Sequence, residues 1–514
     1  MGASSRTVAL IRPLHAGEEY EFQEPLAIEC LAGALCRAGH EVALFDRRLY
    51  ERRSQLPAFW ADFITQGPFE AVGFSLMTAE DLPDTLRLIQ HMKLAEPAPC
   101  FVLGGLFVTL AGERLRELVP REATLIPGEG EAPLQAWLKR ERFLPVSTGE
   151  RVEKSPSLPV RGARSATRQS GDPVASAHSG PATWTPAWRP QLAGYLKEGC
   201  AINIRGARGC AGACAFCATP SLPAGLRHWA GRTISELVDE IATLTTAATK
   251  LSYDPVFNFV EDDFGPITRV EELDAELRSR SLRIAYSLQL RGAALLKEPD
   301  VTARMKRLRE GGLCRLFIGV ESMTPATLRA WHKPLDPDAL LALLRQIERA
   351  GIRVHIGYIL WHADSTPESV RYEVGALHGQ GFFSIKCLFN RMVLFPGSAL
   401  ADADAAGEGQ AKSGVSRTVW QALSPDCEAF YQKLTSCLRP LYLVWVRAAT
   451  ELPMAVARAY LNGNSREVEC LDEALAMCDR VAYAAVAGDD FSADVMALAA
   501  KLTEDLDEVR CPRT

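Results

Sequence analysis

Apolar and polar positions along the first 140 residues follow a pattern typical of strands and helices that succeed one another. Short apolar runs predict buried strands, and apolar residues three and four positions apart predict the helices between them. Such alternation indicates a parallel sheet with helices on both faces. Residues 1–145 are therefore predicted to form a doubly wound, Rossmann-like α/β domain. Its predicted elements are strand 7–11, helix 26–37, strand 41–45, strand 71–76, helix 82–92, strand 100–103 and strand 124–126.

A second alternating series follows a segment without periodicity. Residues 146–191, rich in Ser, Pro, Arg, Gly and Ala, are predicted to be a linker. The alternation resumes over 192–410 and predicts six strand and helix units, which make a partial barrel. Residues 411–514 predict a helical domain, with helices over 419–446, 454–461, 467–487 and 493–506. The predicted barrel strands are 201–204, 256–260, 283–287, 316–322, 353–359 and 384–389.

Composition narrows the functional classes. The 514 residues are 47% hydrophobic, which is enough for large cores, and the net charge is -6 with a pI near 6.0. No basic field is expected to recruit nucleic acid or an anionic membrane, and no apolar run is long enough to predict a membrane span. Fourteen cysteines without disulfide-like clustering, and no signal peptide at the start, predict a reducing, cytoplasmic location.

Three cysteines form the most specific motif. Cys210, Cys214 and Cys217 have the spacing CxxxCxxC directly after the first barrel strand. Three thiolates on one loop can face a common point, and they leave a tetrahedral metal or a cubane cluster one ligand short. An iron–sulfur cube would keep an open iron for a chelating molecule. A structural zinc would need a fourth protein ligand, for which Cys200 and His228 are the local candidates.

Polar residues also stand where barrel strands end, which is the edge at which barrels bind ligands. Glu261, Asp262 and Asp263 follow the second strand, and Arg291 follows the third. Three carboxylates exceed what helix capping requires, so a polar ligand is predicted there. The fourth strand ends in Gly319, Val320, Glu321 and Ser322.

The cysteine triplet, with Phe216 before its last member and Arg208-Gly209 ahead of it, closely resembles the cluster loop of the radical S-adenosylmethionine enzymes. The resemblance implies a 4Fe-4S cluster on the three cysteines and S-adenosylmethionine on the open iron. Electron transfer into the sulfonium, from a reductant such as flavodoxin or ferredoxin, would release a 5′-deoxyadenosyl radical. It also implies S-adenosylmethionine contacts from the acidic turn, from Arg291 and from Gly319, Glu321 and Ser322. For Glu321 this contact is preferred to a structural pair with Lys333.

Turns after the amino-terminal strands carry a second resemblance. Ser75 to Thr78, Gly104-Gly105 and Gly128-Glu129-Gly130 follow strands, and Pro25-Leu26 and Gly39-His40-Glu41-Val42 lie between them. Together they resemble the amino-terminal cobalamin-binding domain of one large branch of these enzymes. This implies cobalamin contacts at Ser75, Thr78, Gly104, Gly105, Gly128 and Glu129. Taken alone, the turns also fit a structural Rossmann domain without a cofactor.

Two departures from the family pattern bear on these expectations. The motif Asp-x-His-x-x-Gly is missing, so His15, His40 and His91 are interpreted as ordinary polar residues and the lower face of the cobalt as not held by histidine. After the fifth strand, Leu360 to Ser365 replaces the usual Gly-x-Pro. Trp361, His362 and Asp364 in that segment either face the substrate or serve packing and capping.

The resulting hypothesis is a cobalamin-dependent radical S-adenosylmethionine methyltransferase. It would act on an unactivated carbon, or a phosphorus centre, of a small molecule in natural-product biosynthesis. One S-adenosylmethionine would methylate the cobalamin, and a second would supply the radical that activates the substrate. The alternative is a radical enzyme of the same architecture that catalyses cyclisation, rearrangement or another group transfer. A third possibility is a non-enzymatic protein built on a decayed enzyme.

Overall fold

The computed structural model of the chain describes five stretches, which leave the predicted linker almost entirely outside. These stretches are residues 5–16, 22–139, 189–406, 420–488 and 495–510. The first half of the described chain contains β1 (Thr7–Arg12), α1 (Leu26–Arg37), β2 (Glu41–Asp46), α2 (Arg47–Arg52), α3 (Leu56–Gln66), β3 (Ala71–Ser75), α4 (Leu82–Met92), β4 (Cys100–Gly104), α5 (Leu106–Ala111), β5 (Thr124–Leu125) and α6 (Glu131–Leu138).

The five amino-terminal strands form one parallel sheet in the order β2-β1-β3-β4-β5. Both faces of the sheet are covered, since Val8 and Leu10 of β1 lie in one apolar core and Ala9 and Ile11 in another. The predicted doubly wound fold is thus confirmed. The direction of the strand order reverses between β1 and β3, and ligands of such sheets bind at the carboxyl ends of strands beside that point.

A second sheet follows after residue 189, also with parallel strands, in the order β12-β11-β10-β9-β6. It confirms the predicted partial barrel. This part contains α7 (Leu192–Lys197), β6 (Ile202–Ile204), β7 (Ala207–Arg208), α8 (Ala224–Arg227), β8 (Ala230–Gly231), α9 (Ile234–Lys250), β9 (Val256–Phe259), α10 (Ile267–Ser279), β10 (Ala285–Gln289), α11 (Gly292–Leu295), α12 (Val301–Glu310), β11 (Leu313–Glu321), α13 (Pro325–Ala330), α14 (Pro337–Arg349), β12 (Arg353–Tyr358), α15 (Pro367–Gly379) and α16 (Ala399–Ala406).

The two faces of the barrel sheet differ. On β11, Leu316, Ile318 and Val320 are buried in the core that α9, α10, α12 and α14 share with the sheet. Between them, Phe317 and Gly319 are only half-buried. Because neighbouring residues of a strand point to opposite faces, these half-buried positions line the inner face of the barrel.

The prediction of a sixth strand over 384–389 is wrong. Ile385–Phe389 forms a 3-10 helix, and the Ile385 N–H donates to the Asp479 carboxylate at 2.7 Å instead of joining a sheet ladder. A short apolar run fits a strand and a buried helical turn equally well, and the Asp479 partner lies too far along the chain to be read from it. Near the place predicted for a sixth strand, a single parallel β-bridge joins Trp361 and Arg391.

The described carboxyl-terminal part is helical, as predicted. The separate helices predicted over 419–446 and 454–461 are wrong in one respect, because they form a single helix that contains Pro440 and Pro453. A proline usually ends or kinks a helix, yet this helix continues past Pro453, with buried Trp445 and Ala455 on either side of it. The three helices described here are α17 (Pro425–Asn462), α18 (Arg466–Ala487) and α19 (Val495–Arg510).

Buried polar contacts join the two sheets. Arg189 pairs with Glu24 of the amino-terminal part at 2.8 Å and with Glu240 of α9 at 3.1 Å. Tyr195 of α7 donates to Asp46 at the end of β2 at 2.8 Å. Buried ions need such partners, so this interface has a fixed geometry. Within the described stretches, no helix has both the length and the apolar character needed to cross a membrane.

Candidate functional site

The cysteine loop is held at its start by backbone contacts. The Cys210 N–H donates to the Arg227 carbonyl at 3.1 Å, and a Cβ on Gly209 would come within 2.3 Å of the His228 carbonyl oxygen. Gly209 also has φ +66, a region that favours glycine. This close approach explains why a glycine precedes the first cysteine.

Two of the three thiols flank Gly212. A Cβ on Gly212 would stand 3.4 Å from the Cys210 Sγ and 3.8 Å from the Cys214 Sγ, so a side chain there would contact both sulfurs. Backbone N–H groups of Gly212 and Thr219 donate to the sulfurs of Cys210 and Cys217 at 3.3 and 3.4 Å. Donors of this kind favour thiolates.

Burial acts against free thiolates in this loop. It raises the pKa of Cys210 to about 11, and it raises the pKa values of Cys214 and Cys217 as well. Lys333 opposes the shift at Cys214 and Cys217 through its positive charge. Without a bound metal the thiols would stay protonated at neutral pH, whereas a metal centre would deprotonate them on binding. The loop therefore fits a thiolate-ligated group.

Neither candidate fourth ligand for zinc lies with the cysteines. Cys200 is buried with its Sγ 3.6 Å from the Phe22 carbonyl, and the His228 Nε2 lies 3.3 Å from the Arg227 Nε. Across the described residues, no three His, Cys, Asp or Glu side chains are grouped so that they could bind one metal ion. This includes the thiols of the loop as they stand in this structure, those of Cys210, Cys214 and Cys217. Three thiols on one loop are nevertheless the donor set that suits a cluster with one open iron.

The acidic turn after β9 divides into two environments. Asp263 is buried and lies beside the cysteines: its Oδ2 accepts from Arg291 at 2.7 Å and is 3.9 Å from the Cys210 Sγ. Asp262 is exposed and accepts from Thr219 at 3.0 Å. The structure thus brings together Cys210, Asp263 and Arg291, which the sequence proposed from three separate segments.

Glu261 points elsewhere. Its Oε2 accepts from the Gly206 N–H at 3.1 Å, and a Cβ on Gly206 would meet both Glu261 Oε1 and the Phe264 ring at less than 3 Å. Burial raises the pKa of Glu261 to about 7. Its carboxyl group supports the loop below the cysteines, and its predicted contact with S-adenosylmethionine stays a prediction.

The end of β11 carries an ion pair. Glu321 has the left-handed φ of +72 and pairs with Lys333 at 2.7 Å, which is the contact that the sequence ranked second. A Cβ on Gly319 would overlap both partners, so glycine makes room for the pair. The Lys333 ammonium lies 5.9 Å from the centre of the Phe216 ring in the cysteine loop.

Ser322 is turned away from the barrel interior. It is buried and donates to Glu373 at 2.8 Å, and Glu373 also accepts from the Met323 N–H at 2.7 Å. The sequence missed Glu373. One feature of the sequence could have indicated Glu373: its carboxylate lies among Val370, Val374 and Leu377, which form the buried face of α15.

Trp331 defines the barrel side of the cysteine loop. Trp331 accepts the Ala215 N–H at 2.9 Å through its carbonyl, and its ring contacts Phe216 edge to face at 5.6 Å. Trp361 is fully buried and packs against Tyr431, so packing explains it. His362 contacts the Trp331 ring, and Asp364 is exposed.

At the carboxyl edge of the amino-terminal sheet, Asp81 lies at the centre of a cluster of polar contacts. Its carboxylate accepts from Arg12 at 2.8 Å and from the Met77 and Thr78 N–H groups, and it lies 3.2 Å from His15. Burial alone would raise the pKa of Asp81, but His15, Arg12 and the backbone donors lower it. Sequence reasoning missed Arg12 and Asp81.

The other predicted cobalamin contacts line the same edge. The Ser75 carbonyl accepts from Arg12 at 2.8 Å, and the Thr78 hydroxyl lies 3.4 Å from His15. Gly104 approaches the Ile126 carbonyl. Gly105, with φ +99, allows its turn to pass so close to Leu76 that a Cβ would lie 2.4 Å from the Leu76 carbonyl oxygen. Close packing of turns thus accounts for both glycines, and cofactor contact stays a prediction.

His40 and His91 lie away from this edge, in local contacts. The His40 Nδ1 accepts from the Arg6 N–H at 3.2 Å, and the His91 Nδ1 lies 2.8 Å from the Arg87 carbonyl on α4.

The last turn of that edge meets the cysteine loop directly. Glu129 forms an ion pair with Arg208, two residues before Cys210. A Cβ on Gly128 would lie 4.0 Å from Leu226 of α8. The carboxyl edge of one sheet therefore faces the cysteine loop of the other.

Comparison with protein families agrees with this arrangement. The family model described as the B12 binding domain matches residues 19–138, and that of the Radical SAM superfamily matches residues 204–368. The first range contains the carboxyl edge with Asp81 and Glu129. The second contains the cysteine loop, the acidic turn and the Glu321–Lys333 pair.

Two methylases are similar in sequence. The hopanoid C-3 methylase of Methylococcus capsulatus is 24% identical over 363 residues, 68% of this chain and 63% of that protein. The hopanoid C-2 methylase of Rhodopseudomonas palustris is 29% identical over 174 residues, 32% of this chain and 31% of that protein. The matches span less than two thirds of the length of either methylase.

Two solved structures share the fold. The cobalamin-dependent S-adenosylmethionine radical enzyme OxsB with aqua-cobalamin bound gives a TM-score of 0.63 at 14% identity, covering 98% of this chain and 80% of that one. The radical S-adenosylmethionine methyltransferase TsrM from Kitasatospora setae gives 0.61 at 15% identity, covering 99% and 100%.

The two matched domains together define the class and its cofactors. A radical SAM domain implies a 4Fe-4S cluster and S-adenosylmethionine, and a B12-binding domain implies cobalamin. The chain therefore combines a region that matches the B12 binding domain with a following region that matches the Radical SAM superfamily.

Proposed function

We propose that the protein is a cobalamin-dependent methyltransferase that transfers a methyl group to an unactivated carbon of a small natural-product intermediate. The observation that carries this proposal is the contact between the two cofactor-binding regions, made by Glu129 and Arg208 and by Gly128 and Leu226. Group transfer between two cofactors requires that they share one enclosed space. The hopanoid methylases to which the chain is similar support the choice of methyl transfer.

The proposed residue roles follow from the geometry. Cys210, Cys214 and Cys217 would hold the cluster, with Gly212 leaving the space for it. When bound, the cluster with S-adenosylmethionine supplies a 5′-deoxyadenosyl radical and cobalamin supplies the methyl group. An external reductant such as flavodoxin or ferredoxin would provide the electron, in the cytoplasm.

Polar residues around the cysteines would bind S-adenosylmethionine. Asp262 offers an exposed carboxylate for its amino group, and Arg291, paired with Asp263, offers a cation at the same edge. The Glu321–Lys333 pair would contribute from β11. Glu261 and Ser322 would act indirectly, since their side chains support the acidic turn and the end of β11.

The proposal is tested on protein reconstituted anaerobically with iron, sulfide and hydroxocobalamin, then reduced in the presence of S-adenosylmethionine. We expect iron and cobalt to be retained, and both 5′-deoxyadenosine and S-adenosylhomocysteine to form. The triple variant C210A/C214A/C217A should lose iron and 5′-deoxyadenosine while still binding cobalamin. Formation of 5′-deoxyadenosine without cobalt or S-adenosylhomocysteine would favour cyclisation, rearrangement or another group transfer. Unchanged iron in the triple variant would overturn the enzyme assignment.

A further inference from the structure

A single carboxylate fixes the chain where β11 and β12 end. Glu373 is buried on α15, and its Oε1 accepts from the Ser322 hydroxyl at 2.8 Å and from the Thr324 hydroxyl at 2.6 Å. Its Oε2 accepts from the Met323 N–H at 2.7 Å and from the Tyr358 hydroxyl. Four donors match the four acceptor sites of a carboxylate, so both oxygens are fully used.

All four donors are uncharged, and they depend on Glu373 as it depends on them. A buried carboxylate is costly unless hydrogen bonds satisfy it, and buried donors are costly without an acceptor. The network extends by one step, since the Thr324 N–H donates to the Ser322 Oγ at 3.0 Å. The turn over 322–324 is therefore held in one conformation by a side chain of α15.

This turn directly follows a residue with an unusual backbone. Glu321 has φ +72, and the register of β11 against β12 shifts between Gly319 and Glu321. Residues other than glycine disfavour this left-handed region, and such conformations persist only where the surrounding contacts determine them. The Glu321 carbonyl accepts from the Ile359 N–H at 3.0 Å, and the Glu373 network begins at the next residue. The left-handed conformation of Glu321 thus lies between two sets of hydrogen bonds, of which Glu373 makes one.

The conformation of Glu321 decides where its carboxylate lies. The Glu321 Oε1 is 2.7 Å from the Lys333 Nζ, and the Lys333 ammonium is 5.9 Å from the centre of the Phe216 ring in the cysteine loop. A Cβ on Gly319 would overlap both partners, so the space for the pair is closely shaped. Because side-chain direction follows backbone conformation, a return of Glu321 to ordinary strand geometry would redirect its carboxylate.

We propose that Glu373 is a positioning residue for S-adenosylmethionine binding, because it holds Glu321 in its left-handed conformation and so keeps the Glu321–Lys333 pair beside the cysteine loop. This inference rests on the proposed function, which assigns the pair to S-adenosylmethionine. Glu373 would not touch S-adenosylmethionine itself, since its four acceptor sites are occupied.

The test measures S-adenosylmethionine binding to protein reconstituted with iron, sulfide and hydroxocobalamin. The protein is left unreduced, so that S-adenosylmethionine is not cleaved, and the Kd is determined by equilibrium dialysis. E321Q and E373Q are compared singly and combined, because a double-variant cycle shows whether two residues act through one another. We expect each single variant to raise the Kd at least about tenfold, and the double variant to bind within about twofold of the weaker single variant.

A general loss of structure would give a different result. Iron content and the Kd for hydroxocobalamin should stay unchanged in E373Q, because the cysteines and the amino-terminal sheet lie outside the network. D479N is the matched control and should bind S-adenosylmethionine like the unaltered protein, since Asp479 is also a carboxylate of a helix but accepts from the Ile385 N–H. Y358F removes one of the four donors and keeps the carboxylate, and it should raise the Kd about threefold.

Multiplied effects in the double variant would overturn the inference, because Glu373 would then act independently of Glu321. An unchanged Kd for S-adenosylmethionine in E373Q, or in E321Q, would overturn it as well. Where E373Q does not fold, Y358F decides in the same way, alone and combined with E321Q.

Formation of S-adenosylhomocysteine by the reduced, unaltered protein separates this inference from the proposed function. Its presence together with equal Kd values for E373Q and the unaltered protein contradicts only the role of Glu373. Its absence, despite a coupled rise of the Kd in the variants, contradicts methyl transfer and leaves the role of Glu373 in place.

Discussion

The cysteine loop and the carboxyl edge of the amino-terminal sheet face each other, yet they are built in different ways. In the loop the proposed ligand atoms are the side chains themselves, the thiols of Cys210, Cys214 and Cys217, the first two of which flank Gly212. At the carboxyl edge the polar side chains bind one another, as Arg12, His15 and Asp81 do, and glycines bring the turns together. The loop therefore depends on a few atoms that no other residue can replace, whereas the edge depends on how its turns are held.

The largest effect is expected where this difference is greatest, at a thiol. C217A should lower both iron content and the rate of 5′-deoxyadenosine formation at least about 100-fold, since the reaction requires a cluster with its full set of thiolates. The matched control is C200A, because Cys200 is also buried but contacts the Phe22 carbonyl. Loss of iron in C200A, or its retention in C217A, would contradict the assignment of the loop.

The interface that holds the two regions together should show the next largest effect. Glu24 is fully buried against Arg189, so E24Q leaves the buried guanidinium with Glu240 as its remaining charge partner and should lower the free energy of unfolding by about 2 kcal/mol. Urea denaturation followed by tryptophan fluorescence measures this. E122Q alters the more exposed Lys93–Glu122 pair in the same part of the chain and should cost less than about 1 kcal/mol. Equal losses in both variants would contradict a built interface.

A smaller effect is expected where the regions touch. R208Q removes the partner of Glu129 but leaves every predicted cobalamin contact in place. Losing one charge-assisted hydrogen bond costs roughly 1–2 kcal/mol, so the Kd for hydroxocobalamin should rise about tenfold while iron content stays constant. A spectroscopic titration of cobalamin checks the first expectation and iron analysis the second. An unchanged Kd for hydroxocobalamin would mean that the Arg208–Glu129 pair does not position the carboxyl edge of the amino-terminal sheet.

The smallest effect concerns Glu261, below the cysteine loop. Its folded-state pKa of about 7 lies above its ordinary value of 4.5, so the folded state binds the proton more tightly than the unfolded state. This stabilisation is fully present below pH 4.5 and is lost as pH rises through about 7. E261Q does not titrate, so its stability relative to the unaltered protein should rise by about 1–2 kcal/mol between pH 6 and pH 8. Thermal unfolding at the two pH values measures the difference, and a constant difference would place Glu261 in a more solvated site.

The sequence predicted the fold well because both sheets follow local periodicity. Helices such as α1 and α4 have the predicted bounds, and the order of elements alone indicated parallel sheets. The failures occurred where distant partners decide local structure. Asp479 accepts a hydrogen bond from the backbone of Ile385, where a 3-10 helix stands in place of the predicted strand, and α17 continues past Pro453 with buried residues on both sides of the proline.

The candidate site was predictable in proportion to how directly its residues act. The spacing of the cysteines was enough to predict them, and Asp263 and Arg291 were predicted because they follow the ends of strands. Lys333 was weighed only as the second choice for Glu321, because α13 brings it back to β11 from outside the motif. Glu373 and Asp81 were missed because they are carboxylates on otherwise apolar or capping segments, and only folding shows which N–H groups they meet.

The most direct test of the central claim, that the cysteine loop and the carboxyl edge form one reaction site, is electron paramagnetic resonance of the doubly reconstituted protein. The sample would contain cob(II)alamin together with the reduced cluster. We predict mutual broadening or splitting of the two signals, which C210A/C214A/C217A abolishes while the cobalamin signal persists. A spectrum that equals the sum of the two separately reconstituted proteins would place the cofactors too far apart and contradict the account.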